Sequence, residues 1–385
     1  MKKVLVIGFS GRNIAASACR AGYEVYAIDA FCDRDLRACT KCCHALPEDR
    51  KIHEMTHAEL AGIIDLFGIA PDAVILGSGF EFTGRGIVRC PVLNNPPEIM
   101  ERTADKKAFA EAMKLLGIPH PATWPATDPP EIGRPMIIKP VRGGGGIFNR
   151  VVNNEEELDQ AVEIICAADP GLTPADLILQ EMLEGIPASV SVISTGKRAT
   201  AVSVNEQLTG VEWLTDMPFA YCGNITPLQS PWRRTMEMLA EKLCNHFGLV
   251  GSNGIDFILT EKGPVVLEIN ARFQGSLDTV EKATGINLFS AHIGAFAGKL
   301  PEKIDPDIYA GRAVIYAGEA PVEVNPGLSG LMESGNFADI PLPGSSVLPD
   351  EPLVSVIETG KSREEVLGKL RIACGKVRDA GKKDK

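Results

Sequence analysis

Ile255-Asp256-Phe257-Ile258-Leu259-Thr260 runs into Glu261-Lys262-Gly263 and then Pro264-Val265-Val266-Leu267-Glu268-Ile269-Asn270. Two strand-like runs around a short turn ending in glycine predict a hairpin with a three-residue loop at 261–263. In that register Asp256 lies directly opposite Glu268, and the two side chains share a face. Asn270, two residues further on, shares it too. The opposite parity (Phe257, Leu259, Val265, Leu267, Ile269) is apolar and is expected to pack a core. Adjacent carboxylates repel unless a cation sits between them. Two carboxylates and an amide oxygen are hard ligands that suit Mg²⁺ with substrate phosphates. Arg272 continues the polar parity and would add a fork for phosphate. A merely solvated polar face is the plainer alternative, and the uniformly apolar opposite face argues against it.

Upstream, Ile138-Lys139-Pro140-Val141-Arg142 leads into four consecutive glycines, Gly143, Gly144, Gly145 and Gly146. Polyglycine is entropically costly and is tolerated where backbone N–H groups must approach an anion closely. A lysine at the strand end can pair with the same anion. The order, lysine first and glycines after, is not that of a Walker loop. The hairpin and the loop converge on nucleotide phosphates and magnesium.

Further out, the chain reads as alternating short strands and helices. Val4–Ile7, Val25–Ile28 and Ala73–Leu76 are short apolar strands, and Ile14–Arg20 is a helix stopped by Gly22, a pattern that predicts a buried parallel sheet. Pro91–Pro97 reads as a linker, and Thr103 as the cap of a helix carrying Phe109, Met113 and Leu116. Helices are expected from Asn154 and over Thr235–Phe247, and a hairpin over Ser189–Val204. Ser362 and Glu365 form a capping-box pair for the last helix.

The 385 residues, 45% hydrophobic and 23% charged, suit two to four globular domains at about 100–150 residues each. A net charge of −11 without a basic block argues against nucleic-acid and membrane-surface partners, though a local pocket can still be basic. The apolar run Val4–Ile7 is too short for a signal core, and nothing approaches the ~20 apolar residues of a membrane span. A cytoplasmic protein with mostly reduced thiols is expected.

The four pieces Asp105-Lys106, Ile138-Lys139-Pro140 with its glycines, Leu179-Gln180-Glu181-Met182-Leu183-Glu184-Gly185, and Asn253–Phe257 with Leu267–Arg272 together resemble the ATP-grasp superfamily over essentially the whole chain. The layout is similar to biotin carboxylase and the synthetase halves of carbamoyl phosphate synthetase. The resemblance implies an α/β and α+β ATP-grasp fold in three parts. These are a Rossmann-like pre-ATP-grasp domain at 1–98, the ATP-grasp domain at 99–300 with its lid at about 120–183, and a small biotin-carboxylase-like domain at 301–385. It implies that Lys106 and Lys139 hold ATP phosphates and that Gly143–Gly146 close over them. Gln180, Glu181, Met182 and Leu183 border the adenine. Asp256, Glu268 and Asn270 bind Mg²⁺ (or Mn²⁺), and Arg272 with Lys139 serves catalysis. The activity implied is a ligase that makes an acyl phosphate from a small-molecule carboxylate and passes it to an amine. A homodimer follows by analogy with biotin carboxylase.

Two departures from the family pattern matter. The stretch Gly185-Ile186-Pro187-Ala188-Ser189 has no acid for the ribose hydroxyls. Arg272-Phe273-Gln274-Gly275-Ser276 has no glutamate where biotin carboxylase carries its bicarbonate base, and Asp278 is out of register. The runner-up reading is nonetheless a bicarbonate-using carboxylase or a carbamoyl-phosphate-type enzyme. A third, from another class, is a metal- or redox-sensing module built on Cys32, Cys39, Cys42 and Cys43, with His44, His53 and His57 nearby. Glu81 is a candidate for meeting a substrate amine, and Gln207 and Trp213 lie on an expected substrate-side loop. Gly8 and Gly11 with Asp29 only partly resemble a dinucleotide fingerprint.

Overall fold

The computed structural model describes residues 2–46, 57–80, 90–146, 148–333 and 336–381. Glu81 and His53 lie outside them.

The first segment forms a parallel sheet in the order Cys42–Ala45, Glu24–Asp29, Lys3–Gly8, Ala73–Leu76. Val4 to Ile7 are at most 1% exposed. Their unbroken apolar run reflects burial on both faces of the sheet. The carboxyl ends of these strands, followed by Phe9, Ala30 and Gly77, lie on one edge, and Phe9 N–H donates to Ser78 O across it (2.8 Å).

Residues 123–181 form a small antiparallel sheet ordered Thr123–Pro125, Leu177–Glu181, Met136–Pro140, Arg150–Val152. The helix Glu155–Ala168 covers it, burying Leu158, Ala161 and Ile165 against Met136, Ile138, Leu177 and Leu179. Asn154 Oδ1 accepts the Glu157 N–H, as expected of an N-cap.

The third sheet has eight strands. In order they are Gly263–Asn270, Val250–Thr260, Ile186–Thr195, Ala199–Thr209, Tyr221–Thr226, Tyr309–Tyr316, Pro352–Gly360 and Phe337–Ala338. It runs without a break across residue 300, because Tyr309–Tyr316 pairs with Tyr221–Thr226. The segment from 301 onward therefore extends the same sheet, and its last helix, Arg363–Gly381, packs Val366 and Leu370 against it. Strand Tyr221–Thr226 and the helix Leu277–Thr284 were not legible in the sequence.

Two local expectations are corrected. Thr103 is not the cap of the helix that follows. It ends a separate short helix, Pro97–Ala104, where its hydroxyl donates back to Ile99 and Met100 carbonyls. Asp105 caps Lys106–Leu116, accepting from the Lys107 and Ala108 N–H groups. The 255–270 hairpin turns on two residues, because Thr260 pairs with Gly263. A bulge at Leu267 then restores the expected pairing of Asp256 with Glu268. The bulge also changes the core face. Val266, not Val265 or Leu267, is fully buried beside Phe257 and Ile255. Each of these buried side chains contributes about 1.5–3 kcal/mol.

Candidate active site

The polar face of the hairpin is as the alternation predicts. Asn270 Nδ2 donates to Asp256 Oδ2 (2.9 Å), and Gln207 Nε2, on the strand Ala199–Thr209 two places over in the sheet, donates to Asp256 Oδ1 (3.1 Å). Burial and the facing Glu268 push the Asp256 carboxyl up to about 7, against the opposing pull of Arg272 and the two amides. Two adjacent carboxylates that resist joint ionisation are what a divalent cation relieves. The oxygens of Asp256, Glu268 and Asn270 therefore fit a hard cation such as Mg²⁺. Arg272 also donates through a terminal guanidinium nitrogen to Phe273 O (3.2 Å).

Both lysines arrive at this face from separate elements. Lys106, at the first turn of its helix, brings Nζ to 4.0 Å from Glu268 and donates to Gly143 O at 2.8 Å. Lys139 lies near the end of Met136–Pro140. Burial lowers it to about 8, with Glu268 holding it up and Lys106 adding repulsion. A cation partly stripped of water and repelled by a second one is poised to gain from an arriving anion. Gly143, Gly144 and Gly145 are exposed beside them. Gly146, at φ +74°, passes so close to Phe219 that a Cβ would sit 2.2 Å from its carbonyl oxygen.

The four residues from Gln180 to Leu183 differ in disposition. The Gln180 side chain is buried and donates to Thr123 Oγ1 (2.9 Å). Glu181 pairs with Arg134 (2.7 Å), Met182 is exposed and Leu183 is half-buried. His120, next to this strand, is held down at about 4 by burial.

Sequence reasoning missed a second charged assembly. Arg12 donates to both oxygens of Asp278 (3.0 and 2.7 Å) and to Asp339 (2.8 Å). Arg312 donates to Asp339 (2.5 Å), to Ser355 and to Gly275 O. Tyr221, under Gly275, lies within electrostatic reach of Arg312, Asp256 and Asp278, linking this assembly to the hairpin. Asp278 is engaged on both oxygens by Arg12, so it is not a free base. No spacing signal could have found contacts spanning 266 and 327 positions.

Asp29 accepts from the N–H groups of Gly11, Phe31 and Cys32, which occupies the acid of the partial dinucleotide fingerprint. Cys32 and Cys43 form a disulfide, whereas the other eight cysteines, Cys39 and Cys42 included, are free. Among the described residues no group of three or more His, Cys, Asp or Glu side chains could hold a metal ion. His292 is a buried helix residue, accepting from Ser252 N–H. No helix among the described residues is long and apolar enough to cross a membrane.

The ATP-grasp domain family profile matches residues 103–276. An uncharacterized protein of Methanocaldococcus jannaschii is 24% identical over 367 residues, which span 92% of this chain and 88% of that protein. The biotin carboxylase domain of Hydrogenobacter thermophilus 2-oxoglutarate carboxylase, solved as a dimer with MgADP, ADP and bicarbonate, superposes with a TM-score of 0.75. It shares 19% identity, over 97% of this chain and 89% of that one. An L-amino acid ligase from Bacillus licheniformis superposes at 0.71 with 17% identity, covering 98% of each chain. The two lysines, the glycine loop and the carboxylate hairpin all fall inside the matched segment. Residues 103–276 are an ATP-grasp domain, and the chain as a whole has the ATP-grasp fold.

Proposed function

We propose that the protein is an ATP- and Mg²⁺-dependent ligase that joins a small-molecule carboxylate to an amine. The observation that carries this reading is the Asp256–Glu268 pair facing Lys106 and Lys139 beside four glycines. In this reading Lys106 and Lys139 bind the ATP phosphates and Gly143–Gly146 cover them. Residues from Gln180 to Leu183 border the base. Asp256, Glu268 and Asn270 hold Mg²⁺, which supplies neutralisation of phosphate charge. Arg272 meets the charge that grows on the transferring phosphoryl group.

A carboxylate oxygen of the substrate attacks the γ-phosphorus, the bond to the β-phosphate oxygen breaks, and ADP leaves. The neutral amine nitrogen then attacks the acyl carbon. A C–N bond forms, the C–O bond to phosphate breaks, and the departing phosphate takes up the amine's proton. The protein's part is positioning, charge neutralisation and water exclusion.

The carboxylase alternative needs a base for bicarbonate. Gln274, Gly275 and Ser276 supply no acid, and Asp278 is held by Arg12. That supports the ligase reading over it. The likeness to a biotin carboxylase dimer also supports a homodimer here, which sedimentation equilibrium tests.

The test is an ADP-release screen of carboxylic acids crossed with amines, followed by the product's mass. ADP formed only with both substrates, and reduced at least about 100-fold in Glu268→Gln, supports the proposal. Bicarbonate-stimulated ADP release without amine overturns it in favour of the carboxylase, and failure to bind MgATP overturns both.

A further inference from the structure

We propose that Asp33 is the recognition site for an organic ammonium group, so that the enzyme's amine-side substrate enters as a cation and releases one proton to solvent before its neutral nitrogen attacks. The proposal rests on the ligase reading only in naming that substrate.

The residues around Arg12 come from three separated parts of the chain. Two guanidinium groups, Arg12 and Arg312, are set among five carboxylates: Asp29, Asp33, Asp35, Asp278 and Asp339. Four of the acids are accounted for. Asp29 is capped by three backbone N–H groups, and Asp35 accepts from the N–H groups of Asp339 and Ile340. Asp278 and Asp339 hold the two arginines.

Among the described residues, only the Asp33 side chain of the five has no hydrogen bond or ion pair, although its backbone carbonyl accepts the Arg37 N–H. It begins the short helix Arg34–Cys39 without capping it, and the residue is only 7% exposed. A buried carboxylate without a partner is costly. No fully enclosed side-chain oxygen or nitrogen among the described residues lacks a partner, so the free oxygens of Asp33 still open to solvent. The Asp33 carboxylate is therefore largely buried but not sealed from solvent. Burial, with Asp339, Asp29 and Asp35 around it, pushes this carboxyl up to about 8, and Arg12 offsets that only in part. A cation placed there would restore its ionised form.

Two further observations locate and specify the ligand. Asp33 follows the carboxyl end of the strand Glu24–Asp29, on the edge of the parallel sheet where open α/β sheets bind ligands. Phe9 and Phe31 follow adjacent strands on that edge, packed edge to face at 5.0 Å, and Phe9 is 44% exposed. They offer an apolar wall for the carbon skeleton of an amine. The acids do not converge as metal ligands, because no group of three or more such side chains among the described residues could hold an ion. An organic ammonium ion fits this arrangement better than a metal. The loop itself is pinned: Cys32 sits at φ +47° with its N–H on Asp29 and its sulfur bonded to Cys43.

The probes are n-butylammonium and 1,4-diaminobutane, with butan-1-ol, sodium butyrate and NaCl at matched ionic strength as controls. Each is added to the full-length protein at about 10 mM, and thermal unfolding is followed. The expected result is a midpoint raised by about 1 °C or more by an ammonium probe and by none of the controls. Asp33→Asn should abolish that shift while leaving the ligand-free midpoint unchanged or higher, since an unpaired buried acid has gone. Asp33→Ser carries the same expectations should Asp33→Asn not fold. No shift with either ammonium probe, or an equal shift in the charge-removing variant, overturns the proposal. MgATP is run alongside. If it gives no shift while the Asp33-dependent ammonium shift persists, the ligase reading falls and this one stands.

Discussion

Replacing Arg12 by Met tests the assembly that ties the three parts of the chain together. Arg12 is 4% exposed and makes two charge-assisted bonds to Asp278 and one to Asp339. Asp339 keeps Arg312 after the change, whereas Asp278, also 4% exposed, is left with no hydrogen-bonded cation. Stranding one partner of a buried ion pair costs about 3–5 kcal/mol. The loss should depend on pH. In the native protein, despite the cost of burying them, the arginines hold Asp278 and Asp339 below the ordinary aspartate value of 3.8. Their contribution is present in full above that value and is lost as pH falls through the folded values. In Arg12→Met, burial acts on Asp278 without its counter-charge, so its carboxyl rises and protonates first. The gap between the two proteins should narrow from pH 7 to pH 4. The assay is urea unfolding at both pH values, with amide exchange at residues 12–20 as the local reading. Adding Asp278→Asn to Arg12→Met should recover about 2 kcal/mol or more. A loss below about 1 kcal/mol at pH 7, or one that does not change with pH, would refute the reasoning.

Gly146→Ala forces a left-handed φ on alanine, costing about 1–2 kcal/mol, and aims a Cβ at the Phe219 carbonyl. ADP release should fall by about 10-fold or more, whereas Gly133→Ala, with open space around it, should be silent. Cys43→Ser opens the 32–43 loop, which closes 11 positions of chain, and should lower stability by about 3 kcal/mol in the same urea assay. An unchanged midpoint under non-reducing conditions would refute the staple.

The site divides by how far apart its parts lie in sequence. Asp256, Glu268 and Asn270 were legible because a strand's two-residue period fixes which side chains share a face. The turn was read one residue too long, yet the bulge at Leu267 cancelled that error at Asp256. The same bulge moved Val266 into the core in place of its neighbours, because an unpaired extra residue resets the alternation beyond it. Lys139 and its glycines were legible because a loop that must approach an anion is restricted to one residue type. By contrast, Gln207 reaches Asp256 across sheet neighbours, and a sequence says nothing of strand order.

The sequence by itself determined the local chemistry of the ATP-side face: a carboxylate hairpin, a lysine at a strand end, and a glycine loop. Local periodicity and backbone freedom act over a few residues, so they are written in a few residues. Only the tertiary structure decided that Arg12, Asp33, Asp278, Arg312 and Asp339 meet in one buried cluster. Their partners lie up to 327 positions away, and what makes Asp33 distinctive is the partner it lacks once the chain has folded around it.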